Sequence, residues 1–153
     1  MAGQTRTTFI RLETPKPLAR VMIADDNLDH VATTALYLHT DGFDVIGLPS
    51  GEALLENFEA YRPDVVILDI GMPGLNGYDV ARALRGNSKA ADVLLIALTG
   101  YGSQTDKRLS ELVGFDFHLV KPADPKVMSA LISDFAAGNR PVRVHVVPHR
   151  DMP

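Results

Sequence analysis

Short, wholly apolar runs recur along the chain, each separated from the next by room for one helix. Val21-Met22-Ile23-Ala24, Val65-Val66-Ile67-Leu68 and Val93-Leu94-Leu95-Ile96-Ala97-Leu98 are the clearest, and Phe43 to Gly47 and Phe115 to Val120 are shorter examples. Runs of this kind, rich in β-branched residues, fit strands buried on both faces, as in parallel sheets. Between them the apolar positions fall at helical spacing. Leu28, Val31, Ala32, Ala35 and Leu36 share one face, and Leu54 with Phe58, Val80 with Leu84, and Val127 with Leu131 and Phe135 repeat the pattern. Gly42, Gly86 and Gly114 stand where helix ends favour a left-handed residue. Ser103-Gln104-Thr105-Asp106 reads as a capping box with Asp in place of Glu, and Asp124-Pro125 as an N-cap followed by proline at the first helical position.

The order is strand then helix, repeated five times over residues 20–137. Strands alternating with helices predict an α/β domain with a parallel sheet covered on both faces. Ligands of such sheets bind beyond the carboxyl ends of the strands. Residues 1–19 form a separate segment: Phe9 and Arg11 alternate with Ile10 and Leu12 as a weak strand, before the extended Pro15-Lys16-Pro17. It is expected to be a frayed tail and linker. The cluster Gly138-Asn139-Arg140-Pro141 opens a C-terminal tail, residues 138–153, in which Val142, Val144 and Val146 fit a short strand as well as a mobile basic segment.

Composition narrows the class. The chain has 153 residues, 46% of them hydrophobic, enough for one domain with a sizeable core. Its net charge of −4 argues against a nucleic-acid binder. With no cysteine there are no disulfides, thiolate metal sites or cysteine nucleophiles. No apolar run approaches the ~20 residues of a membrane span, and no signal peptide is seen, so the expected location is the cytoplasm.

The chemistry lies at the strand ends. The first strand ends in Asp25-Asp26, the third in Asp69 and the fourth in Thr99-Gly100, and the fifth is followed by Lys121-Pro122. An aspartate after a strand is often only a helix N-cap, a fair account of Asp26 by itself but not of the whole set. Three carboxylates on one rim repel each other and raise one another's pKa. A hard divalent cation relieves that repulsion, and Mg²⁺ suits two or three carboxylates, a carbonyl and waters, with Mn²⁺ as a substitute. Lys121 adds a cation and Thr99 a hydroxyl donor, so the group can hold a phosphoryl dianion. Asp69, after the most apolar strand, is the candidate nucleophile, giving an aspartyl phosphate.

Four segments carry a resemblance to a known family: Ile23-Ala24-Asp25-Asp26-Asn27, Leu68-Asp69-Ile70-Gly71-Met72-Pro73-Gly74-Leu75-Asn76-Gly77, Ala97-Leu98-Thr99-Gly100 and Leu119-Val120-Lys121-Pro122. Over residues 20–137 the chain resembles the receiver domains of two-component response regulators. The resemblance implies a flavodoxin-like fold, a doubly wound five-stranded sheet in the order 2-1-3-4-5, for which a member of this family is a standard example. It implies that Asp69 is the phosphoacceptor, and that Asp25, Asp26, Asp69 and the Gly71 carbonyl hold Mg²⁺. Thr99 then resembles the switch hydroxyl and Lys121 the family's lysine, with a cis bond to Pro122. His118 replaces the Tyr or Phe usual at the second switch position; it is expected to be a tolerated ring there, with a pH-tuned switch as the alternative. Gly71 and Tyr101 occupy the positions that tune dephosphorylation in the family.

The string from Leu98 to Gly102 with Gly114 to Pro122 resembles receivers at the C-terminal end of hybrid histidine kinases, and Thr8-Phe9-Ile10-Arg11-Leu12 resembles the last strand of a kinase ATP-binding domain. The expected role is a phosphoryl-accepting relay or single-domain regulator, not a dedicated turnover enzyme. It takes its phosphoryl group from a histidine kinase or histidine phosphotransfer protein. Its output is a changed protein-binding surface, with no nucleic acid and no membrane. By resemblance, that surface and a homodimer contact lie on the fourth and fifth helices and fifth strand of the repeat. Two alternatives are a Mg²⁺-dependent phosphohydrolase with an Asp nucleophile and a binding-only receiver. The first lacks its usual second Asp, since Ile70-Gly71 follows Asp69. The second is disfavoured by the presence of every key residue.

Overall fold

A computed structural model describes residues 9–100 and 113–141, and the backbone of 145–147. The strands are β1 (Ile10–Leu12), β2 (Arg20–Ala24), β3 (Asp44–Leu48), β4 (Val65–Asp69), β5 (Leu94–Thr99), β6 (Phe117–Val120) and β7 (His145–Val147). The helices are α1 (Leu28–Thr40), α2 (Gly51–Tyr61), α3 (Gly77–Arg85) and α4 (Pro125–Ala136), with a 3₁₀ turn at Ser88–Ala90. The cap expected at Ser103–Asp106 and the positions Tyr101, Gly102 and Val142 to Val144 lie outside the described residues. Among the described residues no helix is long and apolar enough to cross a membrane.

The sheet runs β1-β3-β2-β4-β5-β6-β7. Counted from β2, its five central strands have the order 2-1-3-4-5 and are all parallel. Strand alternation explains why these runs are apolar throughout. Val66 and Leu68 join Leu54, Phe58, Val80 and Leu84 beneath α2 and α3. Val65 and Ile67 turn to the opposite face, with Val31, Leu38, Met128 and Ile132 of α1 and α4. Neither face of β4 meets water, so the strand is apolar from Val65 to Leu68 and turns polar only at its carboxyl end, Asp69. Each such aliphatic side chain contributes roughly 1.5–3 kcal/mol by burial.

The sheet is wider than the five strands expected. Ile10–Leu12 pairs antiparallel with β3 and is sheet, not frayed tail. Gly47 makes this possible: a Cβ there would stand 2.5 Å from Ile10 Cγ2 and 2.4 Å from Val31 Cγ1, so only glycine lets β1 and α1 both close on β3. The chain is pinned on either side of the two prolines, before them by Thr14 N–H on Asp44 Oδ1 and after them by Leu18 N–H on the Gly42 carbonyl. On the far side β7 pairs in parallel with β6, placing His118 opposite Val146.

Gly42 and Gly114 take the left-handed conformation expected of them, but Gly86 does not. Gly86 stays right-handed at φ −80° because the chain runs straight on into the 3₁₀ turn, with Asn87 N–H on the Leu84 carbonyl. Asp124 caps α4 with Pro125 in its first turn, as expected.

Candidate functional site

Every polar group singled out at a strand end lies at the carboxyl edge of the parallel sheet. Asp25 follows β2, Asp69 closes β4, Thr99 closes β5 and Lys121 follows β6. One carboxylate oxygen from each of Asp25, Asp26 and Asp69 comes within 4.8 Å of the others. Asp25, Asp69 and Thr99 are buried, and Asp26 is exposed and opens the cluster to solvent. Lys121 Nζ donates to Asp69 Oδ1 at 2.9 Å and lies 3.6 Å from Asp25 Oδ2. Its backbone N–H holds the Thr99 carbonyl at 2.7 Å, tying the ends of β5 and β6 together, and the Lys121-Pro122 bond is cis as expected.

The loop after Asp69 is shaped by glycines. Gly71 N–H donates to Asp69 Oδ1 at 3.2 Å. A Cβ at Gly77 would lie 2.8 Å from the Asp69 carbonyl, so the start of α3 can close under the acidic cluster only without a side chain there. Asn76 and Asp79 then form a reciprocal capping box at α3.

The charges are unequal in their surroundings. Burial pushes the Asp69 carboxyl above its ordinary 3.8, and the Asp25 charge adds to it, against the pull of Lys121. Burial also acts to raise Asp25, but hydrogen bonds from His30 and the Asn27 N–H, with the Lys121 charge, hold it below 3.8. Burial acts to lower Lys121, but the Asp69 bond and the two carboxylates outweigh it and push the ammonium up. The two aspartates part because Asp25 has hydrogen bonds from His30 and Asn27 besides the Lys121 charge, whereas Asp69 is also raised by the Asp25 charge. The set has oxygen donors only, one of them solvent-facing, and an unbalanced negative charge. That is the donor chemistry of a hard divalent cation.

The α1 helix is capped by Asn27, not Asp26: Asn27 Oδ1 accepts from His30 N–H at 3.2 Å, which frees the Asp26 carboxylate for the cluster. His30 itself was missed in the sequence. Its Nδ1 lies 3.0 Å from Asp25 Oδ2. The spacing Asn27-x-x-His30 is that of a capping box, but the His30 side chain goes past the cap to Asp25, and the Asn27 N–H is taken by Asp25 Oδ1. His118 is fully buried on β6, pairing with Ala97 on one side and Val146 on the other.

Residues 21–133 match the family model of the response regulator receiver domain. The chain belongs to this family. Curated relatives of this receiver include "Probable transcriptional regulator ycf27" of Guillardia theta, 37% identical over 84% of this chain and 48% of that one. Another is the DNA-binding response regulator MtrA of Mycolicibacterium paratuberculosis, 34% identical over 74% of this chain and 49% of its own length. The chain thus spans about half the length of the curated relatives it matches. Among solved structures the receiver is similar to the chemotaxis protein CheY4 of Vibrio cholerae, with 28% identity, 74% of this chain, 95% of that one and a TM-score of 0.70. A response regulator from Desulfuromonas acetoxidans gives 25% identity, coverage of 77% and 96%, and 0.69. Receiver domains act in two-component signalling, bind Mg²⁺ at an acidic pocket and deal with histidine kinases or phosphotransfer proteins, and they are not usually dedicated enzymes.

Proposed function

We propose that this receiver takes its phosphoryl group on Asp69. The observation that carries the reading is the meeting of the three aspartates within 4.8 Å, with Lys121 Nζ 2.9 Å from Asp69 Oδ1. Among the described residues, the hydrogen bonds to Asp69 fall on Oδ1, from Lys121 and Gly71, which leaves Oδ2 for attack. The P–N bond of a phosphohistidine breaks as a P–O bond forms at Oδ2, and the histidine ring leaves with the electron pair and takes up a proton. Asp25, Asp26, Asp69 and the Gly71 carbonyl would hold Mg²⁺, which supplies positive charge against the phosphoryl oxygens. Lys121 releases Oδ1 to bind the incoming group, and the Thr99 hydroxyl turns to it as the second donor. Hydrolysis later returns the carboxylate and inorganic phosphate.

The donor is a histidine kinase or a phosphotransfer protein, in the cytoplasm. The output is a change in the surface flanking β6, read by a protein partner or a second copy and not by nucleic acid. By resemblance that surface comprises β6 and the helices before and after it in the chain, and β7 pairs along the β6 edge. The test is incubation with Mg²⁺ and acetyl phosphate, read by intact mass, beside Asp69→Asn. A Mg²⁺-dependent gain of one phosphoryl group, absent in the variant, supports the reading. A gain that persists in the variant overturns it.

A further inference from the structure

We propose that His30 is a positioning residue of the acidic pocket: it fixes the Asp25 carboxylate and so sets how tightly the pocket holds a divalent cation. This rests on the reading of Asp25, Asp26 and Asp69 as a cation pocket.

The Asp25 carboxylate is clamped from the α1 side at both oxygens. Asn27 N–H donates to Oδ1 at 3.0 Å, and His30 Nδ1 stands 3.0 Å from Oδ2. An ionised carboxylate can only accept, so Nδ1 carries the hydrogen. The clamp is closed through the helix cap, because Asn27 Oδ1 takes the backbone N–H of His30. Asp25, Asn27 and His30 therefore form one ring of three hydrogen bonds, and the plane of the carboxylate follows from the start of α1. The next residue, Asp26, is exposed, and among the described residues no such clamp holds it.

The direction of the effect follows from Lys121. Its Nζ is already on Asp69 Oδ1 at 2.9 Å and stands off Asp25 Oδ2 at 3.6 Å. Without the His30 bond, the Asp25 carboxylate turns toward that ammonium. The existing 3.6 Å ion pair then shortens to a direct hydrogen bond, and a cation must break that tighter carboxylate–ammonium–carboxylate bridge to enter. His30 holds Asp25 back and keeps the pocket open. Partners that orient metal-ligating groups in this way typically change affinity by about 10–100-fold when removed.

The measurement is Mg²⁺ titration of the whole chain by calorimetry, with no phosphoryl donor present. His30→Leu removes the donor, and His30→Asn places an amide N–H where Nδ1 was. The His30 side chain is 28% exposed, so both changes leave the core intact. The expected result is Mg²⁺ binding weakened about tenfold or more in His30→Leu, and restored in His30→Asn. Wild-type affinity or tighter in His30→Leu overturns the proposal, as does an Asn variant as weak as the Leu variant. If the wild-type chain itself takes up no Mg²⁺, the cation-pocket reading fails and this proposal with it. If only the variants behave unexpectedly, that reading stands and the role of His30 falls.

Discussion

Lys121 and Asp69 lie 52 positions apart in the chain and meet at 2.9 Å, the ammonium of one on Oδ1 of the other. Two crossovers of the sheet separate them, and only the order of the strands brings them together. Lys121→Ala should slow acetyl phosphate labelling of Asp69 on the order of 100-fold, the usual cost of removing one donor to developing negative charge. Lys121→Arg should not restore it, because the planar fork does not replace a point charge at this short reach. Time courses by intact mass decide both.

The two buried aspartates should respond to pH with opposite sign. Burial raises the Asp69 carboxyl above 3.8, so its contribution to stability is full below the unfolded value and is lost as pH rises through the folded one. Asp69→Asn in EDTA should therefore melt above the wild type at neutral pH, with the gap closing toward pH 4. Burial acts to raise Asp25 too, but His30, Asn27 and Lys121 outweigh it and hold it below 3.8. Its contribution is present above the unfolded value and lost as pH falls through the folded one. Asp25→Asn should destabilise at neutral pH by about 1–2 kcal/mol and converge with the wild type in acid. Thermal melts across that range would show the crossing, and parallel curves would contradict it.

Gly47→Ala should cost about 2–3 kcal/mol, by overpacking against Ile10 and Val31. Deleting residues 1–12 should relieve half of the clash and shrink the penalty. Denaturant titration of the four combinations measures the coupling.

Arg85 joins four segments. Nε donates to the Gly114 carbonyl, one terminal nitrogen to the Ala90 and Val93 carbonyls, and the other to Asp116 Oδ2. Asp116 Oδ2 also takes Leu95 N–H, at the start of β5. Arg85→Ala should cost about 2–3 kcal/mol because it strands buried acceptors. Arg85→Lys should recover less than half of that, since one ammonium cannot span them. Urea midpoints at constant slope would check both.

Much of this was legible in the chain. The apolar runs gave the central strands because both faces of β4 are buried, and the strand-end residues gave the rim because a parallel sheet sends every carboxyl end the same way. The wider sheet was not legible. Three-residue strands such as Ile10–Leu12 carry too little periodicity, and the signal that admits β1 is an absent side chain at Gly47. Gly86 misled because a glycine after a helix says where a left-handed turn is allowed, not where one is needed. His30 was hidden because its partner, five residues back, belongs to a strand end and not to the helix.

The two outermost strands, Ile10–Leu12 and His145–Val147, are only three residues long. A parallel sheet cut off at β3 or β6 would offer longer rows of backbone donors and acceptors at its sides, the template on which copies of a protein stack edge to edge. Here each border tapers to three rungs, and one of them runs against the direction of the rest. So short a margin gives a neighbouring chain little to grip. Short border strands are one of the means by which sheets discourage edge-to-edge pairing between copies.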